Sequence, residues 1–245
     1  MYTRDGDAYT LTTRAGLVLS GRVGGGRVFL RVSLKGCDLG SYNAMVCYQD
    51  GGLRWQDITK VTDVSFSEKD GWGVLDVTGE SRVHGGRHGF VLTQKLLIHP
   101  DRPYFVAEVT KVVNVGTEPL DVRWFYLRQY AAYAKDKSSE KKRSVPNLWK
   151  APHHDVWVRA ADGAWWGGFT KSPACTMFSY FLLDGGGHPD ACFEPMGETP
   201  PDSPAGNWRL APGASYDPRG TVWALCIGGA GGREGWNRQM KELGE

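Results

Sequence analysis

The chain has 245 residues, 41% of them hydrophobic, with 33 glycines and an aromatic complement of 10 Trp, 10 Tyr and 9 Phe. That leaves room for one large β domain or two small ones around a sizeable core, and so many glycines and aromatics suit short strands and tight turns better than helix bundles. Basic residues exceed acidic ones by 29 to 27, so the charge balance demands neither nucleic acid nor an anionic membrane as partner, and no apolar run reaches transmembrane length.

Alternation of apolar and polar residues predicts strands at 8–14, 16–23 and 27–35, the last two separated by a turn at Gly24-Gly25-Gly26. Further strands are expected at 43–49, at 54–66 with an internal break, and at 73–78, 90–98, 104–115 and 120–133. The later half adds 156–161, 164–170, 176–183, 191–193 and 221–227. Turn chemistry supports the breaks at His99-Pro100-Asp101-Arg102-Pro103, at Asn114-Val115-Gly116 and at Asp184-Gly185-Gly186-Gly187. The expectation is an all-β fold, a large antiparallel β-sandwich forming a single domain over 1–245. A short C-terminal helix is expected at 233–243, where Trp236, Met240 and Leu243 share one face. The charged run at 135–143 (KDKSSEKKR) reads as a solvated loop, or else as a lid or clamp for an anionic substrate.

The five cysteines, Cys37, Cys47, Cys175, Cys192 and Cys226, contain no Cys-x-x-Cys pair, which argues against a zinc knuckle or a thioredoxin-type site. They read as small buried apolar residues, with one disulfide still compatible. The N-terminus (MYTRDGDAYTLTTR) is not a signal peptide. A cytoplasmic location follows if that terminus is native, a periplasmic or secreted one if a leader has been trimmed.

Four groups of residues can carry chemistry. Glu194 stands after an apolar residue at a strand end and before a Pro/Gly-rich loop, where a carboxylate can act as general base, accept from a sugar hydroxyl, or simply pair with an arginine. Glu198 and Asp202 follow in that loop, but the spacing lacks a calcium signature, so neither metal nor cofactor is expected. The segment Arg82-Val83-His84-Gly85-Gly86-Arg87-His88-Gly89-Phe90 sets histidines and arginines among glycines, either as ligand contacts, Arg82, His84 and His88 among them, or as an exposed hairpin turn. In the strand from Arg123, residues Phe125, Leu127 and Gln129 share one face and Trp124, Tyr126, Arg128 and Tyr130 the other. The second face suits sugar stacking and carboxylate pairing, or a half-exposed sheet surface. His153-His154 can place one imidazole at a site, and of Trp165-Trp166 one reads as core while Trp166 is a candidate for lining a cleft.

Three segments together resemble the galactose mutarotase-like β-supersandwich proteins, especially the aldose 1-epimerases. They are Cys192-Phe193-Glu194-Pro195-Met196 with Leu210-Ala211-Pro212-Gly213, His84-Gly85-Gly86 with Gly89-Phe90, and 105–122 (FVAEVTKVVNVGTEPLDV). The resemblance implies a supersandwich fold, with Glu194 as the base on the anomeric hydroxyl and His84 against the sugar. The family's catalytic histidine would follow Val122, where this chain reads Trp124-Phe125-Tyr126-Leu127-Arg128-Gln129-Tyr130. The expected function is therefore a carbohydrate-active, epimerase-like protein with Glu194, His84, Arg128 and Tyr130 as catalytic candidates. Arg82, His88, Trp124, Tyr126, His153 and Trp166 are its substrate-binding candidates.

Two alternatives stand beside it. One is a lyase acting on a uronic-acid sugar, with Tyr130 or Tyr133, Arg128, His84 and Lys135 in the working roles. The other is a non-catalytic carbohydrate-binding or accessory domain. The expected ligand is a mono- or oligosaccharide, neutral or anionic, with self-association or a larger enzyme as the protein partner.

Overall fold

The computed structural model describes residues 1–24, 30–130, 154–159, 165–170, 175–180, 190–195, 208–216 and 222–227, together with Arg238 and Lys241. At 37–40, 83–84, 123–130 and 208, and in the segments of 154–195 and 222–227, that description is of backbone.

The chain begins with β1 (Tyr2–Asp5), β2 (Ala8–Thr12), β3 (Leu17–Arg22), β4 (Leu30–Leu34), β5 (Cys37–Gln49) and β6 (Leu53–Asp57). Next come β7 (Lys60–Lys69), β8 (Trp72–Val83), β9 (His88–Ile98), β10 (Tyr104–Asn114) and β11 (Leu120–Tyr130). The later strands are β12 (His154–Arg159), β13 (Trp165–Thr170), β14 (Cys175–Tyr180), β15 (Asp190–Pro195), β16 (Trp208–Leu210), β17 (Ser215–Tyr216) and β18 (Val222–Ile227). They form two antiparallel sheets. The first runs β1-β2-β3-β4-β5-β11-β15-β14, with β6 added to β5 and β16 to β11. The second runs β12-β13-β18-β10-β9-β8-β7, with β17 added to β10. Late strands thus pair with early ones in both sheets. Among the described residues no helix is long and apolar enough to cross a membrane.

The side-chain period of two builds the core. Along β9, Phe90, Leu92, Gln94, Leu96 and Ile98 are buried and Lys95 is exposed. They meet Tyr42, Ala44, Val46 and Tyr48 of β5, with Phe105, Ala107 and Val109 of β10 completing the layer. Tyr42 crosses between the sheets: its hydroxyl donates to Gln94 Oε1 at 2.7 Å, and its ring meets Phe105 edge-on at 5.5 Å. The alternate residues of β5, Asn43, Met45 and Cys47, are buried too, so the strand is covered on both faces. The sharp β7–β8 hairpin uses Asp70-Gly71, both at positive φ (52° and 79°), the pair of conformations a two-residue reversal with the right twist requires.

Two expectations change. The broken strand at 54–66 is two strands in different sheets: β6 pairs with β5, and β7 pairs with β8. Ile58 marks the switch, buried and donating its N–H to the Ala44 carbonyl, while the Thr59 N–H already binds Glu80 of the second sheet. The strand at the extreme N-terminus was not expected; β1 pairs with β2 along Tyr2–Asp5. The helix expected at 233–243 falls outside the described residues except for Arg238 and Lys241, which are helical and exposed.

Candidate functional site

Parts of the three sequence segments singled out above, 84–90, 114–118 and 210–213, meet at one end of the sandwich. Between β8 and β9 the chain makes a short 3-10 turn, His84–Gly86, with Gly85 at φ 66° and Gly86 at φ 89°. The loop leading from β10 to β11 lies against it. Val115 N–H donates to Gly89 O (3.0 Å), Thr117 N–H to Gly86 O (3.1 Å) and Glu118 N–H to Arg87 O (3.1 Å). Gly116 sits where a Cβ would come within 2.4 Å of the Arg87 carbonyl oxygen. Buried Asn114 binds the third segment: its Nδ2 donates to Leu210 O at 2.8 Å and to Glu118 O at 2.9 Å, and its Oδ1 accepts from Gly116 N–H. Gly213 N–H closes the junction on Asn114 O at 2.9 Å. The glycines and the asparagine therefore let three backbones pack closely while these polar groups find partners.

Charged side chains ring this junction. Arg87 pairs with Glu118 through two bonds of 2.9 and 3.0 Å. That hydrogen bond holds the Glu118 carboxyl below its ordinary pKa, with burial opposing. Exposed Arg82 donates to Val115 O at 3.2 Å and lies 3.6 Å from Glu80. His88, only 4% exposed, points inward: Nε2 is 3.3 Å from Asp50 Oδ2 on the β5–β6 turn, and the ring is 5.1 Å from that of Tyr48. Burial and then Asp50 push the Tyr48 phenol up, against Arg54 and Arg87. The imidazole thus joins the β8–β9 hairpin to the β5–β6 turn.

A second group forms on the face of the first sheet turned away from the core. β11 pairs Phe125 with Val46, Leu127 with Ala44 and Gln129 with Tyr42, all three partners lying in the core. Trp124, Tyr126, Arg128 and Tyr130 pair with Cys47, Met45, Asn43 and Ser41, on the opposite face. The register shifts between Val122, which is in the core, and Trp124. The extra residue, Arg123, brings Trp124 and every alternate residue after it into register with Cys47, Met45, Asn43 and Ser41. β15 continues the pattern, with Cys192 opposite Arg128 and Asp190 opposite Tyr130. Glu194, two residues beyond Cys192, shares that face by register and lies diagonal to Arg128, about 7–8 Å away. Sheet pairing therefore brings Glu194, Arg128, Tyr130, Trp124 and Tyr126 onto one face of adjacent strands.

The remaining candidates lie elsewhere. His84 belongs to the junction at the start of β11, and Glu194 is level with Tyr126, six residues along from Leu120 and roughly 20 Å at the strand rise. Trp166 is on β13 of the second sheet and pairs with Ile227, two positions from Leu225, whose partner Phe105 is in the core. That register gives Trp166 core parity and Trp165 the opposite one. His153, Tyr133, Lys135, Glu198, Asp202 and the run at 135–143 lie outside the described residues. No group of three potential metal ligands gathers among the described residues. A cavity of about 470 Å³, walled by Leu11, Phe66, Ile98 and Pro100 among others, opens at the other end of β9, away from both groups.

The strand expected at 54–66 includes most of β6, but Trp55 and Asp57 are not among the site residues its sequence singles out. Its alternation Leu53-Arg54-Trp55-Gln56-Asp57 sets Trp55 opposite Cys47 and Asp57 opposite Met45, on the same face as the β11 aromatics. The period-two pattern carried that signal, but not the sheet the strand would join.

A solved galactose mutarotase-like protein from Clostridium acetobutylicum matches this architecture with a TM-score of 0.53 at 10% identity, over 94% of this chain and 98% of that one. The GH36 α-galactosidase AgaB from Geobacillus stearothermophilus matches with a TM-score of 0.51 at 9% identity. That match covers 94% of this chain and 41% of the α-galactosidase, so the chain spans well under half of that enzyme's length. No protein-family model matches the chain. Nor does any curated protein match it in sequence. The chain has the galactose mutarotase-like β-sandwich fold that the three segments implied.

Proposed function

We propose that this protein is a carbohydrate-active protein of the aldose 1-epimerase kind, binding a sugar on the outer face of the first sheet with Glu194 as its base. One observation carries the reading: the register that sets Glu194 level with Tyr126 and diagonal to Trp124 and Arg128, with Tyr130 farther along the same face. A carboxylate, a cation and a row of aromatics on one rigid sheet face are the groups a pyranose needs.

In the proposed reaction, Glu194 takes the proton of the anomeric hydroxyl and the C1–ring oxygen bond breaks. The electron pair on the ring oxygen takes a proton from the Tyr130 phenol, while Arg128 steadies the developing charge. Rotation about C1–C2 and reclosure return both protons and invert the anomeric carbon. Trp124 and Tyr126 hold the apolar face of the ring throughout. Tyr130 stands in for the histidine that this strand lacks.

The absence of histidine from β11, together with Arg128 between two tyrosines, favours a second reading: elimination on a uronate sugar, with Arg128 on the carboxylate and a tyrosine as base. A sugar-binding domain working within, or beside, a larger enzyme is the third.

Anomeric exchange followed by magnetisation-transfer NMR on a panel of aldoses separates them. The expected result is accelerated exchange that Glu194→Gln abolishes. Equal exchange with the wild-type protein, with the variant and in buffer removes the epimerase reading. New ultraviolet absorbance with acidic polysaccharides would select the lyase reading, and sugar binding without turnover the binding domain.

A further inference from the structure

We infer that β6 carries a second sugar subsite with Trp55 as its platform, so that the ligand of this face is an oligosaccharide and not a free monosaccharide. The inference rests on the reading that the Glu194 face binds sugar.

Trp55 is 49% exposed and Leu53 48%, whereas the other described large apolar side chains, Met1 apart, are at least partly buried. Leu53 and Trp55 are alternate residues of one strand, so they share a face. Held on a sheet, a half-exposed tryptophan presents a flat, rigid apolar ring of the kind that stacks on a sugar. Its position names the ligand. Trp55 pairs with Cys47, which pairs with Trp124, so the two tryptophans sit in one row across three strands. Asp57, Met45 and Tyr126 form the next row, level with Glu194.

From β6 to β15 is three strand spacings, about 14 Å. A single pyranose ring held between Glu194 and Tyr130 lies along β11 and β15 and does not also extend across β5 to β6, but the next sugars of a chain do. Trp55 offers a flat ring to a sugar's C–H face. The outer subsite thus repeats the aromatic platform proposed for the inner one.

Calorimetric titration of the full chain with galactose against galactotriose, and glucose against maltotriose, tests this. The expected result is that one trisaccharide binds at least about tenfold more tightly than its monosaccharide. Trp55→Ala should erase that difference while leaving monosaccharide affinity unchanged, and Trp55→Tyr should keep most of it. Equal affinities in the wild-type protein, or a difference that survives Trp55→Ala, overturn the subsite and leave the inner-site reading standing. If no sugar binds at all, both fall. If Trp55→Ala instead converts a dimer to a monomer in sedimentation, with sugar affinities unchanged, Trp55 belongs to a protein contact and the inference is wrong. Circular dichroism of each variant identifies any that fails to fold, in which case Trp55→Tyr carries the test.

Discussion

The Tyr42 hydroxyl and Gln94 Oε1 lie 2.7 Å apart in the interior, one from each sheet, so this hydrogen bond helps tie the two layers. Tyr42 and Gln94 are fully buried. Tyr42→Phe keeps the ring against Phe105 but leaves the Gln94 carbonyl oxygen without its donor. A loss of about 1–3 kcal/mol is expected, read from urea unfolding at neutral pH. No change would mean that the bond contributes nothing net.

Burial pushes the Tyr42 phenol well above its ordinary pKa of 10.0, with the bond to Gln94 opposing, and it raises Tyr9 as well. A phenol raised in the folded state stabilises fully below its unfolded pKa and loses that contribution as pH climbs past 10.0. Stability should therefore fall above that pH by about 1.4 kcal/mol per pH unit for each such phenol. Alkaline unfolding curves of Tyr42→Phe should be flatter than those of the wild-type protein. Ultraviolet titration should show both phenols ionising only as the chain unfolds.

Gly116 is held between three backbone groups: Arg87 O, Gly89 N and His88 Cα. None of these can swing away as a flexible side chain could. Gly116→Ala should cost about 1–3 kcal/mol by overpacking. Amide exchange should speed up first at Thr117 and Glu118, whose N–H groups bind the β8–β9 hairpin. Unchanged exchange there would show that the loop adapts.

Arg128 pairs with Asn43 on one side and Cys192 on the other, at the centre of the proposed sugar face. Arg128→Ala should weaken galacturonate binding by about tenfold and leave galactose nearly unchanged, because a guanidinium pairs with a carboxylate through two bonds. An equal loss for both sugars would give Arg128 a structural role, not one in selecting charge.

Much of the fold was legible in the residues themselves. Alternation marks β9 through β11 almost to the residue, because a strand half-facing a core must repeat every two positions. The glycines and the Asn-x-Gly turn announce tight backbone contacts, and the structure spends them at the Asn114 junction. The partition of β11 into two faces was also readable from its own sequence. What alternation cannot supply is phase. Which face of a strand meets the core depends on its partners, and those come from distant parts of the chain. Only the assembled sheets show that the extra residue at Arg123 sets the Trp/Tyr/Arg/Tyr row in register with Cys47, Met45, Asn43 and Ser41, the face of β5 opposite to Tyr42, Ala44 and Val46. They also decide that His88 turns inward to Asp50, and that β6 and β7 part company at Ile58. A periodic pattern is local, set by the backbone of each strand, whereas register and sheet membership are settled by long-range pairing, which no short stretch of residues contains.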